Sequence, residues 1–332
     1  GHGAVPIAKR IDSICYGYAV ATVAEGHNLR RHGITKPIFI LGYTPKTYYD
    51  MVIKEKMLPP IFSLEMAKDF SDAATGLGVE AKINIAVDTG MSRIGYIPSD
   101  KAVQEIVEIN KLPNIKIESI FTHFAKADYI DKSFADKQFE EFVEFINTLE
   151  ENGVHIPIHQ CANSAAMMEM PKTSLSLSRA GISMYGLYPS EEVDHEAMKL
   201  EPAMAIYSHV VYVKEIEAGR GISYGQTFVA DKKMKIATIP IGYGDGYPRN
   251  LSNKGYVLID GKRADILGRI CMDQFMVDVT GMDVKAGDLV TIAGKDGNEE
   301  ILIDDLAVLA GTFNYEFVCD LGKRIPRVYI KD

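Results

Sequence analysis

Cysteine is scarce in the 332-residue sequence: only Cys15, Cys161, Cys271 and Cys319 occur, far apart. No two of them form a CxxC pair, so their spacing argues against a zinc site or a disulfide framework, and we expect no metal. We expect each cysteine to be a small buried apolar residue of a protein in a reducing compartment.

Basic clusters are also lacking, and the formal net charge is -9 at pH 7. Such a chain is a poor partner for nucleic acid or for an anionic membrane. No apolar run approaches the ~20 residues that span a bilayer. With 47% hydrophobic and 24% charged residues, the chain has the composition of a globular protein long enough for two domains.

The first 200 residues alternate between short apolar strands and amphipathic helices. We predict strands at 14–20, 37–41, 60–62, 81–87, 115–121, 156–161 and 174–178. Apolar strands that alternate with helices are typical of a parallel sheet, and a closed (β/α)8 TIM barrel needs eight of them. We therefore predict an α/β fold in which residues 1–200 form a TIM barrel, its first strand missing before Gly1.

The pattern of predicted elements changes after residue 200. Predicted strands at 209–216, 236–241, 256–259, 274–279 and 289–292 are separated by turn pairs such as Asp260-Gly261 and Asp296-Gly297. One helix is predicted at 304–311. Residues 201–332 are thus expected to form a mostly antiparallel β domain.

Polar residues follow several of the predicted barrel strands. They are Arg93, His123, Asn163, Ser164 and Arg179. In a closed barrel the carboxyl ends of the strands meet on one face, so these side chains would share one pocket. Each of them alone is better explained as a hydrogen-bonded loop residue or a surface ion-pair partner, but their joint placement at successive strand ends strengthens the case for a functional pocket.

Two of these sites suit a phosphate group. Asn163-Ser164 begins a predicted helix, and the turn Arg179-Ala180-Gly181-Ile182 offers free backbone N–H groups. An ordinary helix cap explains the first pair equally well.

The β domain carries three glycine-rich or polar clusters, at 221–227, 241–249 and 268–273. The first two contain tyrosines, and a tyrosine near a cation can act as a general acid or base. Hairpin turns alone would also explain this composition. A nucleophilic role for Cys271 is disfavoured, because no histidine follows it at a credible partner position.

Five segments together resemble the motifs of the alanine racemases, and they occur in the family's order over essentially the whole chain. They are Asp88-Thr89-Gly90-Met91-Ser92-Arg93-Ile94-Gly95, Arg179-Ala180-Gly181-Ile182-Ser183-Met184-Tyr185-Gly186, Ser223-Tyr224-Gly225, Gly242-Tyr243-Gly244-Asp245-Gly246-Tyr247 and Arg269-Ile270-Cys271-Met272-Asp273. The resemblance implies a fold-type III enzyme that uses pyridoxal 5'-phosphate (PLP) and works as a homodimer with shared active sites. It would interconvert L- and D-alanine in the cytoplasm by two-base proton transfer, supplying D-alanine for peptidoglycan.

The resemblance also implies roles for individual residues. Tyr224 corresponds to the catalytic tyrosine, and Arg93 with the backbone of Met272 to the groups that bind the substrate carboxylate. The implied cofactor-binding residues are His123, Asn163, Ser164, Arg179, Gly181 and Ile182, with Arg179 facing the pyridine nitrogen. The implied residues of the substrate-channel entrance are Tyr243, Asp128, Arg249 and Arg269.

Three departures from the family pattern stand out. The Schiff-base lysine of the family precedes a Tyr-Gly-His-Gly motif, whereas this sequence begins at Gly1-His2-Gly3. We therefore expect the lysine and the adjacent tyrosine to be absent, and the chain as given to be inactive. Ala86 matches the position where many members have a carbamylated lysine that braces the residue equivalent to Arg93. Lys323 stands where some members have a tyrosine at the pocket mouth.

Four alternatives remain open at this point. A serine/alanine racemase would share every motif. A PLP-dependent decarboxylase is disfavoured by Arg179, since such enzymes pair the ring nitrogen with a carboxylate. A PLP carrier is disfavoured by the β domain with Tyr224. A catalytically dead PLP-binding fragment would retain the pocket without the lysine.

Overall fold

The computed structural model describes residues 1–330 and divides into two compact units. The barrel unit comprises Ala4–Met184 and Tyr188–Leu200, and the β unit comprises Gly1–Gly3, Tyr185–Leu187 and the chain from Glu201 onward. Two short segments therefore group with the β unit although they precede residue 200. Hydrogen bonds join both segments to the β unit, since Nε of Arg327 donates to the Gly1 carbonyl at 2.9 Å and the Ala203 amide donates to the Tyr185 carbonyl at 3.0 Å. The His2 ring also stacks on the Tyr185 ring at 4.2 Å.

The barrel unit contains seven helices and seven short strands. The helices are α1 (Ala4–Ile11), α2 (Val23–Arg31), α3 (Tyr49–Lys54), α4 (Leu64–Leu77), α5 (Asp100–Ile109), α6 (Ser133–Glu151) and α7 (Ser164–Glu169), and the strands are β1 (Tyr18–Val20), β2 (Ile38–Ile40), β3 (Met57–Leu58), β4 (Pro60–Ile61), β5 (Ala81–Ala86), β6 (Ile115–Phe121) and β7 (Ile158–Gln160). Local signals set their ends. The Ser63 hydroxyl accepts a hydrogen bond from the Met66 amide at the start of α4, and Gly78 ends that helix in a left-handed conformation.

The strands pair in parallel and in chain order. One ladder runs β1-β2-β3 and the next runs β4-β5-β6-β7, with Pro59 between β3 and β4. Parallel strands in sequential order with intervening helices are the arrangement of a TIM barrel, so the predicted fold class is confirmed at that level. Whether a further strand precedes β1 stays a prediction.

The barrel core consists of aliphatic strand residues and the apolar faces of the helices. Ile40, Ile61, Ile85 and Phe70 are among its fully buried members. Burial of such a side chain stabilises the fold by about 1.5–3 kcal/mol. This core fixes the strands, and with them the loops that follow their carboxyl ends.

Two predicted barrel strands are wrong in extent. The strand predicted at 14–20 is limited to β1, and Ile14 is 84% exposed in the turn before it. The strand predicted at 174–178 is reduced to one parallel bridge between Gln160 and Leu177. There the hydroxyl of Ser176 accepts a hydrogen bond from the His159 amide, so a side chain takes the place of a ladder carbonyl.

The β unit is built from antiparallel pairs. Its strands are β8 (Ile206–His209), β9 (Tyr212–Ile216), β10 (Gly221–Ile222), β11 (Phe228–Val229), β12 (Met234–Ile239), β13 (Tyr256–Ile259), β14 (Lys262–Leu267), β15 (Phe275–Asp278), β16 (Leu289–Asp296) and β17 (Glu299–Ile301), followed by α8 (Ile303–Ala310) and α9 (Asn314–Asp320). The main sheet runs β17-β16-β13-β14-β15-β12-β9, with β8 beside β16 and a separate β10–β11 hairpin. The antiparallel domain is thus confirmed, whereas the short strands β8, β10, β11 and β17, the strand β14 and the helix α9 were not predicted.

The cysteines differ from expectation. Cys161 is buried, Cys15 and Cys271 are half-buried, and Cys319 is exposed. The expectation of four buried cysteines is therefore wrong for three of them. Cys319 lies in α9 outside its buried face, which Phe317 and Val318 form. In the part of the chain that the structure describes, no helix is both long and apolar enough to cross a membrane.

Two glycines of the β unit allow a matched test of backbone packing. Gly246 has φ 94°, and a Cβ atom there would lie 1.8 Å from the Asp320 carbonyl oxygen. Gly287 has φ 95° and no heavy atom within 4 Å of such a Cβ. Alanine at either site carries a left-handed penalty of about 1–2 kcal/mol. Only Gly246→Ala also overpacks its surroundings, which destabilises the fold by roughly 1–3 kcal/mol more.

We therefore expect Gly246→Ala to lower the free energy of unfolding, measured by urea titration, by more than Gly287→Ala does. Equal losses in the two variants would contradict the close backbone approach at Gly246.

Candidate functional site

The guanidinium of Arg179 lies buried at the ends of β6 and β7. Its Nη2 atom donates to the carbonyl oxygens of Thr122, at 2.7 Å, and Cys161, at 3.2 Å. The same atom lies 3.4 Å from Nδ1 of His123. Its backbone amide donates to the Ala162 carbonyl at 2.9 Å. Arg179 thereby ties together the loops that follow two neighbouring strands.

Burial is the main cause of the shifted pKa values of Arg179 and His123. Desolvation, aided by the nearby charge of Arg93, lowers the pKa of Arg179 to about 10, so the guanidinium stays charged at neutral pH. Desolvation and the charges of Arg179 and Arg93 lower the pKa of His123 to about 4. The ring of His123 is therefore neutral at pH 7. Nη1 of Arg179 is buried and has no hydrogen-bond partner among residues 1–330.

The hydroxyl oxygen of Ser164, at the start of α7, accepts several hydrogen bonds. Its buried hydroxyl oxygen accepts from the Gly181 amide at 2.9 Å, the Ser183 amide at 3.4 Å and the Ser183 hydroxyl at 3.1 Å. Three donors thus share one hydroxyl oxygen, which has only two lone pairs. Ile182 follows Gly181 and is buried. The cluster is rich in donors and poor in acceptors, as an anion site is.

Asn163 caps a helix, which is one of the two roles that the sequence allowed for it. Its side-chain oxygen accepts from the Ala166 amide at 3.1 Å, so it is the N-cap of α7. The capping interpretation therefore accounts for the hydrogen bond of Asn163, while the Ser164 hydroxyl faces the Gly181 turn.

Arg93 lies on a closed loop after β5. One carboxylate oxygen of Asp88 accepts from the amides of Gly90 and Ser92, at 2.9 Å each. At the base of the loop, the Tyr96 amide donates to the Ala86 carbonyl at 2.8 Å. The Arg93 side chain is exposed. The loop is thus rigid at its base and in its turn.

Asp128 lies on the loop after β6, in a segment held by main-chain contacts. Its carbonyl accepts from the Ser190 hydroxyl at 2.8 Å. The ammonium of Lys132 donates to the carbonyls of Ala127, at 2.8 Å, and Tyr129, at 2.6 Å, on either side of it.

Tyr224 lies in the β unit on an unusual turn and is 67% exposed. Its neighbours Ser223, Gly225 and Gln226 have φ of 61°, 69° and 46°, so three of four consecutive residues are left-handed. The Ser223 hydroxyl donates to the Arg269 carbonyl, and a Cβ on Gly225 would lie 3.3 Å from Nη1 of Arg269. The turn holds the phenol in the solvent and brings Arg269 beside it.

Asn253 supports the same turn and was not predicted. Its side-chain nitrogen donates to the Thr227 hydroxyl at 3.2 Å, and its oxygen accepts from the Gly268 amide at 2.6 Å. Asn253 therefore connects the end of the Tyr224 turn to the segment that carries Arg269.

Met272 and Tyr243 lie on two loops that are joined through the backbone. The Gly244 amide donates to the Met272 carbonyl at 2.8 Å, and the Tyr243 amide donates to the Cys271 carbonyl at 3.2 Å. The Met272 amide donates to none of the acceptors in residues 1–330. Arg249 and Tyr243 line one surface depression.

A guanidinium that was not predicted fixes these two loops. Nη2 of Arg324 donates to Asp273 at 2.7 Å, and its Nε lies 3.3 Å from a carboxylate oxygen of Asp245. The other carboxylate oxygen of Asp245 accepts from the Gly242 amide at 2.9 Å. Arg324 therefore bridges the Tyr243 and Met272 loops.

The predicted residues fall into two groups. Arg93, His123, Asn163, Ser164, Arg179, Gly181, Ile182 and Asp128 lie at strand ends of the barrel unit, and Tyr224, Tyr243, Arg249, Arg269 and Met272 lie on loops of the β unit. A further polar residue, Gln138, contacts the first group and was missed. Its signal in the sequence was a glutamine among the apolar residues on the buried face of α6.

The depressed pKa of His123 predicts a pH dependence of stability. The ordinary pKa is 6.5 and the folded value is about 4, so between these values the unfolded chain binds a proton that the folded chain does not. The free energy of unfolding therefore falls as the pH drops through this window, by up to ~1.4 kcal/mol per pH unit for one group. His123→Gln should make this slope shallower by about one proton.

The measurement is urea unfolding at intervals between pH 7 and pH 4, with the exposed His209→Gln as the matched control. An unchanged slope in His123→Gln would contradict the buried neutral ring. His2, whose pKa is also lowered to about 4 by burial, keeps its contribution in both variants.

The chain matches two adjoining family profiles, described as the alanine racemase N-terminal domain, over residues 1–189, and the alanine racemase C-terminal domain, over residues 203–329. It is 45% identical to the alanine racemase of Clostridium perfringens strain SM101, covering 100% of this chain and 86% of that one.

Solved structures are similar over the same extent. The alanine racemase of Clostridium difficile 630 has a TM-score of 0.95 at 43% identity, covering 99% of this chain and 86% of that one. The alanine racemase of Bacillus anthracis with bound L-Ala-P has a TM-score of 0.93 at 36% identity, covering 100% and 86%. With two family profiles, a close relative and two folds in agreement, this chain belongs to the alanine racemase family.

Proposed function

We propose that the protein interconverts L- and D-alanine with PLP as its cofactor and supplies D-alanine for peptidoglycan in the cytoplasm. The observation that carries the proposal is the strand-end cluster of a charged Arg179, a neutral His123 and the donor-rich Ser164 in a chain of this family. The proposal covers the substrate, the cofactor and the residue roles, which are taken in turn below.

The residues of the barrel unit fit the cofactor in two respects. The donors around Ser164 and Gly181 outnumber their acceptors and would bind a phosphate group, with Ile182 beside them. The buried Nη1 of Arg179 lacks an acceptor, and a pyridine nitrogen would supply one. PLP supplies an electron sink that eases removal of the proton from the substrate Cα. His123 lies beside Arg179, and Asn163 holds the start of α7.

Arg179 also favours one outcome of the chemistry. A guanidinium whose pKa is about 10 remains charged at neutral pH, and so it donates a hydrogen bond without giving up its proton. A ring nitrogen bonded in this way is a weaker electron sink than a protonated one. A weaker sink favours return of the proton over loss of carbon dioxide, which supports racemisation over decarboxylation.

Tyr224 is proposed as the base on one face of the substrate. Its phenol is exposed on a turn that backbone geometry and Asn253 hold in place. A side chain that reaches a site on another chain must be exposed and held in this way. We therefore propose a homodimer in which each chain contributes Tyr224 to its partner.

The remaining residues would bind and admit the substrate. Arg93 and the unused Met272 amide are proposed to bind the carboxylate. The proposed residues of the channel entrance are Tyr243, Asp128, Arg249 and Arg269. Serine as a second substrate stays open, since Lys323 is exposed where some family members have a tyrosine.

The first test is racemisation itself, followed by polarimetry from either enantiomer with the full-length protein. Tyr224→Phe removes the proton-carrying oxygen and should slow Cα proton abstraction from one enantiomer more than from the other, by at least ~100-fold. Deuterium exchange from solvent into each enantiomer measures the two directions separately. Equal losses for L- and D-alanine would refute a one-sided role, and release of carbon dioxide would point to the decarboxylase.

The cofactor site can be tested without turnover. Ser164→Ala removes a hydroxyl from the proposed phosphate site, and a hydrogen bond to a charged group contributes about 1.5–3 kcal/mol. The dissociation constant for PLP, measured by equilibrium dialysis, should rise by at least ~10-fold. Ser99→Ala, which removes the hydroxyl that caps α5, is the control, and comparable PLP affinity in the two variants would contradict the site.

A further inference from the structure

Gln138 is a fully buried polar residue on the inner face of α6, where its neighbours Ala135 and Phe142 are apolar. Its side-chain oxygen accepts from the Ala125 amide at 2.9 Å. Its side-chain nitrogen donates to the His123 carbonyl at 3.2 Å and to the Thr89 hydroxyl at 3.4 Å. A buried amide is costly unless it is bonded, so these contacts specify glutamine at this position.

These bonds join two loops of the site. Thr89 lies on the loop that carries Arg93, and its hydroxyl is 2.8 Å from the hydroxyl of Thr122. The Thr122 carbonyl in turn accepts from Arg179. Gln138 is therefore connected to the buried guanidinium by hydrogen bonds through the hydroxyls of Thr89 and Thr122, and then through the Thr122 backbone to its carbonyl.

Helix α6 also packs directly on the Arg93 loop. A Cβ at Gly90 would lie 2.8 Å from the Phe134 ring and 3.5 Å from the side-chain nitrogen of Gln138, and Gly90 has φ 131°. The loop is thus fixed in three places: at its base by Tyr96, within its turn by Asp88, and against α6 by Gln138. By contrast, the Ala86 methyl group has no polar atom with which to hold Arg93.

We infer that Gln138 is a positioning residue for the substrate carboxylate, acting through the 88–95 loop that carries Arg93. The inference rests on the proposed function, because it takes Arg93 as the carboxylate ligand. Gln138 sets the distance between Arg93 and the Arg179–His123 pair. A shift of about 1 Å in such a binding group can cost as much as 100-fold in rate.

The test uses the full-length holoenzyme with Gln138→Leu, which keeps the volume and removes all three hydrogen bonds. The KM for L- and D-alanine should rise about 10-fold, with kcat reduced less and PLP affinity within about 2-fold. Hydrogen exchange of peptides covering 88–95 should accelerate while the rest of the barrel keeps its protection. Ser71→Ala is the matched control, since its buried hydroxyl donates at 2.5 Å to Pro113, before the start of β6.

A conservative pair keeps the inference testable if Gln138→Leu does not fold. Thr89→Val removes the hydroxyl that Gln138 contacts, and Thr89→Ser restores it. We expect Thr89→Val to raise KM and Thr89→Ser to bring it back toward that of the unaltered enzyme.

Equal KM values in the two Thr89 variants would overturn the inference. So would unchanged KM and loop exchange in a folded Gln138→Leu protein, or effects no different from those of Ser71→Ala. If the unaltered enzyme does not racemise alanine, the proposed function fails, while the exchange measurement still decides whether Gln138 holds the loop.

Discussion

One buried positive charge organises the barrel side of the site. Arg179 has lost most of its hydration, and two strand-end carbonyls compensate through one of its nitrogens. Those carbonyls belong to loops after neighbouring strands, so the charge fixes the spacing of the loops. Burial lowers the pKa of His123, and the charge of Arg179 lowers it further, so the ring is neutral. The protein thus holds a cation and an uncharged ring side by side in a buried site, and the ring stays uncharged well below the pH at which a free histidine would take up a proton.

In the β unit, close backbone packing holds the loops in place, rather than a buried charge. Its three loops at 221–227, 241–249 and 268–273 approach one another so closely that glycines occupy the contact points, as at Gly242 and Gly268. Arg324 then joins two of the loops through Asp245 and Asp273. The role proposed for Tyr224 requires this rigidity, because an exposed phenol on a flexible loop would lose its orientation toward a substrate.

The sequence was sufficient for the alternation of elements, because apolar periodicity and capping residues act locally. Helix α4 illustrates this, since Ser63 and Gly78 define its ends. The sequence was insufficient where a side chain replaces a backbone partner, as Ser176 does beside His159. It also missed Gln138 and Arg324, whose partners are distant along the chain. Motif positions identify the residues that would touch a substrate, but the residues that hold them in place follow from three-dimensional contacts.

Ala86 has a consequence for the physiology of the enzyme. Where relatives carry a carbamylated lysine, the brace depends on carbon dioxide that has reacted with an amine. A methyl group cannot undergo that reaction, and here the Arg93 loop is held by Asp88, Tyr96 and Gln138 instead. None of these bonds requires a dissolved gas. With Arg93 as the proposed carboxylate ligand, substrate binding by this protein is expected to be indifferent to the bicarbonate content of its surroundings.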